Sequence, residues 1–90
     1  MLGVHTDGGM RERIAVPERA VIDAEGLTLD QAAMVEFLAI GAHAVRRAQL
    51  AEGEKVLVAG AGPIGIAGAL FARLAGAAVT LVDTRQPRLD

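Results

Sequence analysis

The stretch from Lys55 to Asp83 constrains this chain more than any other. Lys55-Val56-Leu57-Val58-Ala59 is a continuous apolar run of strand length, which predicts a strand buried on both faces. The turn Gly60-Ala61-Gly62-Pro63-Ile64-Gly65 follows. A helix is predicted from about Pro63 to Leu74, with proline in its first turn and Gly76 just past its end, the favoured asymmetry. Ala78-Val79-Thr80-Leu81-Val82 is the second strand, and Asp83 stands at its C-terminal edge. Strand, helix and strand in this order predict an α/β fold with a parallel strand pair joined by a crossover helix.

The glycine spacing points to a dinucleotide. A pyrophosphate needs free backbone amides at a helix N-terminus, and side chains would block its approach. Gly60 allows the tight turn out of the strand, Gly62 lets the phosphates come close, and Gly65 lets the helix pack on the sheet. Pro63 and Ile64 complete the turn. Asp83 lies 23 positions after Gly60, near the spacing of about 20 at which an acid receives the adenosine ribose hydroxyls. Its carboxylate would repel a 2′-phosphate, which favours NAD over NADP, whereas Arg85 could pair with that phosphate. The fold expected is a partial Rossmann unit, the first βαβ of a doubly wound parallel sheet, preceded by short β strands and linking helices. The alternative is an Ala- and Gly-rich βαβ unit that binds nothing. FAD proteins use the same loop, but usually near the chain start and with glutamate as the ribose acid.

Upstream, Gly8-Gly9 marks a turn. Met10 to Val16, ended by Pro17, reads as a strand, and Ala20-Val21-Ile22 as a weaker one. From Leu27 to Glu52 the pattern is helical. Thr28-Leu29-Asp30-Gln31 fits a capping box, and Ala32, Val35, Leu38, Ala39, Ala42 and Val45 form one apolar stripe. Gly41 inside it marks either a break or a close packing contact. Three parts are expected: 1–26, 27–53 and 54–90.

Composition excludes several classes. The chain has no cysteine, so neither a disulfide framework nor a thiolate metal site is possible. A net charge of −2 offers no basic footprint for nucleic acid. The longest uncharged run, Val56–Ala72, has 17 residues, short of the ~20 that cross a bilayer. With no basic and apolar leader at the N-terminus, a cytoplasmic location is expected.

In combination these segments resemble the medium-chain zinc-dependent alcohol and polyol dehydrogenases, with members similar to sorbitol, threonine and galactonate dehydrogenases. Gly8-Gly9-Met10-Arg11-Glu12, Ala32-Ala33-Met34-Val35-Glu36-Phe37-Leu38, Gly41-Ala42-His43-Ala44 and Val56 through Gly65 follow in that family's order. The resemblance implies a remnant of the GroES-like catalytic domain in 1–26, linking helices in 27–53 and the first half of the NAD-binding domain in 54–90. It implies hydride transfer between a small alcohol or polyol and nicotinamide, with zinc polarising the alcohol. It places Glu36 where a glutamate reaches the catalytic zinc, and Arg88 near the adenine side of the cofactor. Phe37 departs from the family's usual proline. The family's cysteine ligands and Gly-His-Glu motif have no counterpart in a chain with only His5 and His43, so the zinc site is incomplete and a truncated or excised segment is expected.

The remaining polar residues read more plainly. His43 is expected to pack or hydrogen-bond at a domain junction, His5 to lie in a loop, and Arg46 and Arg47 to be solvated or to touch another domain. Two strands and one crossover helix leave edges and apolar faces open, and Trp and Tyr are absent. Marginal stability, self-association through the open edge or a molten state follow as expectations. A chain of this kind is expected to be inactive alone; a non-catalytic nucleotide-binding or edge-pairing fragment is the alternative reading.

Overall fold

Parallel strands cannot be joined by a tight turn, so the chain must cross over the sheet. The computed structural model describes residues 1–90 and shows one such crossover. Helix α1 spans Leu29–Ala48, strand β1 Lys55–Ala59, helix α2 Pro63–Leu74 and strand β2 Ala78–Val82. β1 and β2 pair in parallel, with Lys55 opposite Ala78 and Ala59 opposite Val82. Short 3-10 turns occupy Glu18–Ala20 and Gln86–Arg88. Backbone bonds clamp the strand pair at both ends: Gly53 N–H to the Gly76 carbonyl at 2.9 Å, Ala78 N–H to Glu54 at 2.8 Å, and Gly60 N–H to Val82 at 2.7 Å. This α/β arrangement, with its parallel strand pair and crossover helix, is a partial Rossmann-like unit, the fold class expected.

Both helices start and stop for local reasons. The Thr28 hydroxyl accepts from the Gln31 amide at 3.2 Å while the Gln31 side chain accepts from the Thr28 amide at 2.9 Å, a complete capping box. α1 then runs unbroken to Gln49, which adopts a left-handed conformation with φ 51°. The linking segment is therefore one helix rather than several. α2 begins with Gly62 as N-cap and Pro63 at its first position, and it ends before Gly76, whose φ is +84°.

Gly41 resolves as a packing contact, not a break. It is the one buried residue of α1. A Cβ built there would lie 2.6 Å from the Ala67 carbonyl carbon and Cβ, and 2.7 Å from the Gly68 nitrogen. The two helix backbones touch at this point, and the buried stripe is centred on it. Phe37, Leu38, Ala42 and Val45 are half-buried around it, while Val35 and Ala39, placed in the stripe by spacing alone, are exposed.

Two further expectations need correction. β1 is not buried on both faces: Val56 and Val58 are half-buried, but Leu57 is 68% exposed. Helix α2 covers one face, with α1 packed on α2 and not on the strands, and nothing covers the other. The predicted strands at Met10–Val16 and Ala20–Ile22 do not form. Residues 1–28 contain a 3-10 turn and an isolated bridge between Leu2 and Thr6, because short strands without a partner sheet are not stable.

The core is correspondingly thin. Only Gly41, Ala61, Ala67 and Ala72 are buried. The radius of gyration is 16.2 Å, against about 12 Å for a compact chain of this length, so the N-terminal segment extends away from the packed part. No helix is long and apolar enough to cross a membrane.

Candidate functional site

In open parallel sheets, ligands bind beyond the carboxyl ends of the strands. Those ends bring together Ala59 and Gly60 from β1 with Val82 and Asp83 from β2. Gly60 leaves β1 with φ +105°, a conformation that favours glycine. Its N–H closes onto the Val82 carbonyl. Gly65, one turn into α2, faces back onto Gly60, where a Cβ would overlap the Gly60 carbonyl oxygen. Only glycine lets the helix start this close to the strand. Gly62 is different: its φ is −78° and a Cβ built there meets nothing within 4 Å. Space lies in front of it.

The donors at this helix start are unspent. Pro63 has no N–H, and the amides of Gly62, Ile64 and Gly65 make no hydrogen bond within the chain. Three free amides at the positive end of a 12-residue helix are donors of the kind that an anion such as a phosphate accepts from.

Asp83 stands opposite. Its carboxylate Oδ2 accepts from the Ala61 amide at 2.7 Å and from Arg88 Nη1 at 3.4 Å, while Oδ1 accepts from the Arg85 amide at 2.8 Å. The Asp83 side chain is 5% exposed and that of Arg88 45%. The Ala61 bond, then the Arg85 bond, hold the carboxyl below its ordinary pKa; desolvation opposes them, and Arg88 adds to the lowering. The group is therefore ionised at neutral pH. A hollow of about 370 Å³, lined by Ala59, Gly60, Val82, Asp83, Thr84 and Arg88, opens beside it. A larger trough of about 640 Å³ runs along β1 between the helices and is lined mainly by apolar residues such as Val45, Val56 and Leu57. At the carboxyl end of β1 the trough is also lined by Gly60, Gly62, Ile64 and Gly65 of the glycine loop, while the charged side chains of Asp83 and Arg88 line the smaller hollow.

The fold thus brings Gly60, Gly62, Pro63, Ile64, Gly65, Asp83 and Arg88 to one end of the sheet. It does not bring Glu36 there. Glu36 is exposed on α1, and no three His, Asp or Glu side chains gather anywhere in the chain to hold a metal ion. The residues present do not fit a zinc centre. His43 is exposed and its Nδ1 lies 3.1 Å from Arg46 Nη2, while His5 Nδ1 lies 3.1 Å from the Met1 amino group. Arg47 is exposed. Arg85 contributes its backbone amide to Asp83, a role its side-chain type does not advertise. The residue that sequence reasoning passed over is Ala61, which acts through its N–H. Its position between two motif glycines was the only available signal.

No family model matches the chain. Curated relatives do. An L-galactonate-5-dehydrogenase from Escherichia coli (strain K12) is 49% identical over 90 residues, all of this chain but 26% of the relative. A zinc-type alcohol dehydrogenase-like protein from Haemophilus influenzae is 40% identical over 91 residues, again the whole chain and 27% of the relative. The sorbitol dehydrogenase of Ovis aries is 46% identical over 67 residues, 73% of this chain and 19% of that enzyme. The chain spans about a quarter of the length of the relatives it matches throughout. The first two relatives align across the whole chain, and so across the strand, glycine loop, helix and strand described above, and the chain corresponds to a segment of the zinc-type alcohol and polyol dehydrogenases.

Proposed function

We propose that this chain forms the adenosine diphosphate half of an NAD site in a polyol or sugar-acid dehydrogenase. One observation carries the reading: the three unpaired amides of Gly62, Ile64 and Gly65 share the end of the sheet with an ionised Asp83. The amides would hold the pyrophosphate. Asp83 would accept a ribose hydroxyl, and Arg88, its most distant partner and an exposed one, is the one a hydroxyl can displace. When bound, nicotinamide supplies hydride transfer with an alcohol or polyol as the other reactant. A carboxylate at the ribose disfavours a 2′-phosphate, so NAD is preferred to NADP. The chain lacks a group of metal ligands, and we take it to be inactive by itself.

Calorimetric titration with NADH and NADPH tests this reading, using the wild-type chain and Gly62→Val. The substitution suits the backbone at φ −78° and open space, yet places a side chain where a phosphate would sit. Saturable NADH binding, weaker NADPH binding and loss of both in a Gly62→Val chain with unchanged circular dichroism are the expected results. Undiminished NADH binding by Gly62→Val, or no heat from a folded wild-type chain, overturns the assignment.

A second reading, an edge-pairing fragment, is favoured by the bare sheet face. On that face Leu57 is 68% exposed and Val82 42%, and both strands have an unpaired edge. Such edges drive association. Sedimentation velocity across concentration decides it: a fixed monomer removes the edge-pairing reading.

A further inference from the structure

Ribose recognition needs an acid at the end of β2, but it does not need that acid to be closed off from water. The Asp83 side chain is 5% exposed, and its bond to the Ala61 amide, at 2.7 Å, is the shortest side-chain hydrogen bond in the chain. Ala61 is itself 2% exposed. A buried amide left without a partner is costly, so this N–H depends on the carboxylate. The residues on either side, Gly60 and Gly62, have no side chains to hold the loop in place. Its other ties are backbone bonds at its two ends, Gly60 N–H to Val82 and Ile66 N–H to the Gly62 carbonyl. Between them the Asp83 bond is the single crosslink from loop to sheet.

We propose that Asp83 is a positioning residue for the glycine loop: by holding the Ala61 amide it aims the amides of Gly62, Ile64 and Gly65 at a diphosphate, independently of any contact with ribose. The identity of the ligand rests on the dinucleotide reading above; the loop contact does not. Charge and positioning work in opposite directions here. A carboxylate near the site repels a diphosphate, so removing the charge alone tightens binding. Removing the acceptor releases the loop and weakens it. Asp83→Asn removes the charge and keeps an acceptor oxygen for Ala61; Asp83→Ala removes both.

The test titrates wild type, Asp83→Ala and Asp83→Asn with inorganic pyrophosphate, which has no ribose, and with ADP. It is read beside the nitrogen–proton resonance of Ala61 in the ligand-free wild type as pH falls. Asp83→Ala is expected to bind pyrophosphate about tenfold more weakly than wild type, the loss that accompanies one hydrogen bond to a charged group. Asp83→Asn should bind pyrophosphate at least as tightly as wild type, yet bind ADP more weakly. The Ala61 resonance should move as the Asp83 carboxyl takes up a proton. Equal pyrophosphate binding by Asp83→Ala and Asp83→Asn makes Asp83 a ribose acceptor alone and overturns the proposal, as does an Ala61 resonance that stays fixed down to strongly acid pH. That last arm needs no variant, so a failure of Asp83→Ala to fold does not affect it. If the wild type binds neither pyrophosphate nor ADP, the dinucleotide reading falls, and the loop contact then stands or falls on Ala61 alone.

Discussion

Residues 1–28 and residues 55–83 are of nearly equal length and both carry branched apolar side chains, but only the second set assembles. In the first, Val4, Met10, Ile14, Val16, Val21, Ile22 and Leu27 are all exposed. In the second, each strand finds the other across one helix, and backbone bonds from Gly53, Ala78 and Gly60 clamp the pair at both ends. Strand propensity describes a residue that suits a half-buried pleated surface, and 1–28 has no such surface to join. The βαβ unit makes its own. What distinguishes the two regions is that pairing, together with the close approach of Gly65 to the Gly60 backbone that lets α2 start beside β1.

The sharpest way to break the contrast is to make the second region behave like the first. Gly65→Ala should do so, because the new Cβ overlaps the backbone carbonyl of Gly60 and a carbonyl cannot rotate away as a side chain would. A cost of about 3 kcal/mol, the upper end of ordinary overpacking, is expected. Hydrogen exchange gives the readout: amides of β1 and β2 should lose their protection and exchange like those of residues 1–28. Retained protection in Gly65→Ala would show that the strand pair does not depend on the loop closing this tightly.

Gly41→Ala comes next, and two effects compete in it. Alanine is the better helix former by about 1 kcal/mol. Against that, the added methyl would lie 2.6 to 2.7 Å from backbone atoms of Ala67 and Gly68, so α1 must lift off α2. Packing should win, for a net loss of about 1–2 kcal/mol, seen as a lower urea midpoint with helix content kept at low denaturant. A rise in the midpoint would mean that the α1–α2 contact contributes little to the fold.

These two glycines also show where the sequence could be read and where it could not. Local chemistry was legible. The bounds of β1, α2 and β2, the Thr28–Gln31 box and the residues of the glycine loop are written in short-range patterns, and the structure has them where spacing placed them. What the rest of the molecule covers was not legible. A run such as Val56-Leu57-Val58 looks the same whether one face of its sheet is covered or two. The stripe of α1 was drawn by spacing through Val35 and Ala39, but its centre is Gly41, which has no side chain to contribute to such a pattern. Ala61 was invisible for a related reason, since it acts through its backbone.

Acid should separate the regions more gently. The Asp83 carboxyl is held below its ordinary value, chiefly by the Ala61 amide and then by the Arg85 amide. The unfolded chain therefore binds this proton more readily than the folded one, and stability rises with pH through the interval between the two values. The contribution is complete above about pH 4, the ordinary carboxylate value, and is lost as pH falls through the lower folded value. Exchange at Gly60 and Ala61 should quicken over that interval in wild type and not in Asp83→Asn, while residues 1–28 show no such step. A matching acid step in Asp83→Asn would assign the effect to another carboxyl.

The smallest effect should come from the first region itself. Met10 is 103% exposed and Ile22 86%, and neither lies in a strand or helix. Replacing both with serine removes no packing contact, so the urea midpoint of the folded part should shift by no more than the equivalent of about 0.5 kcal/mol, as for surface positions generally. The substitutions also remove apolar surface that another chain could cover, so any concentration-dependent association that involves residues 1–28 should weaken. A midpoint that fell by as much as that of Gly41→Ala would mean that residues 1–28 pack on the βαβ unit after all, and the two regions would then have to be treated as one cooperative structure.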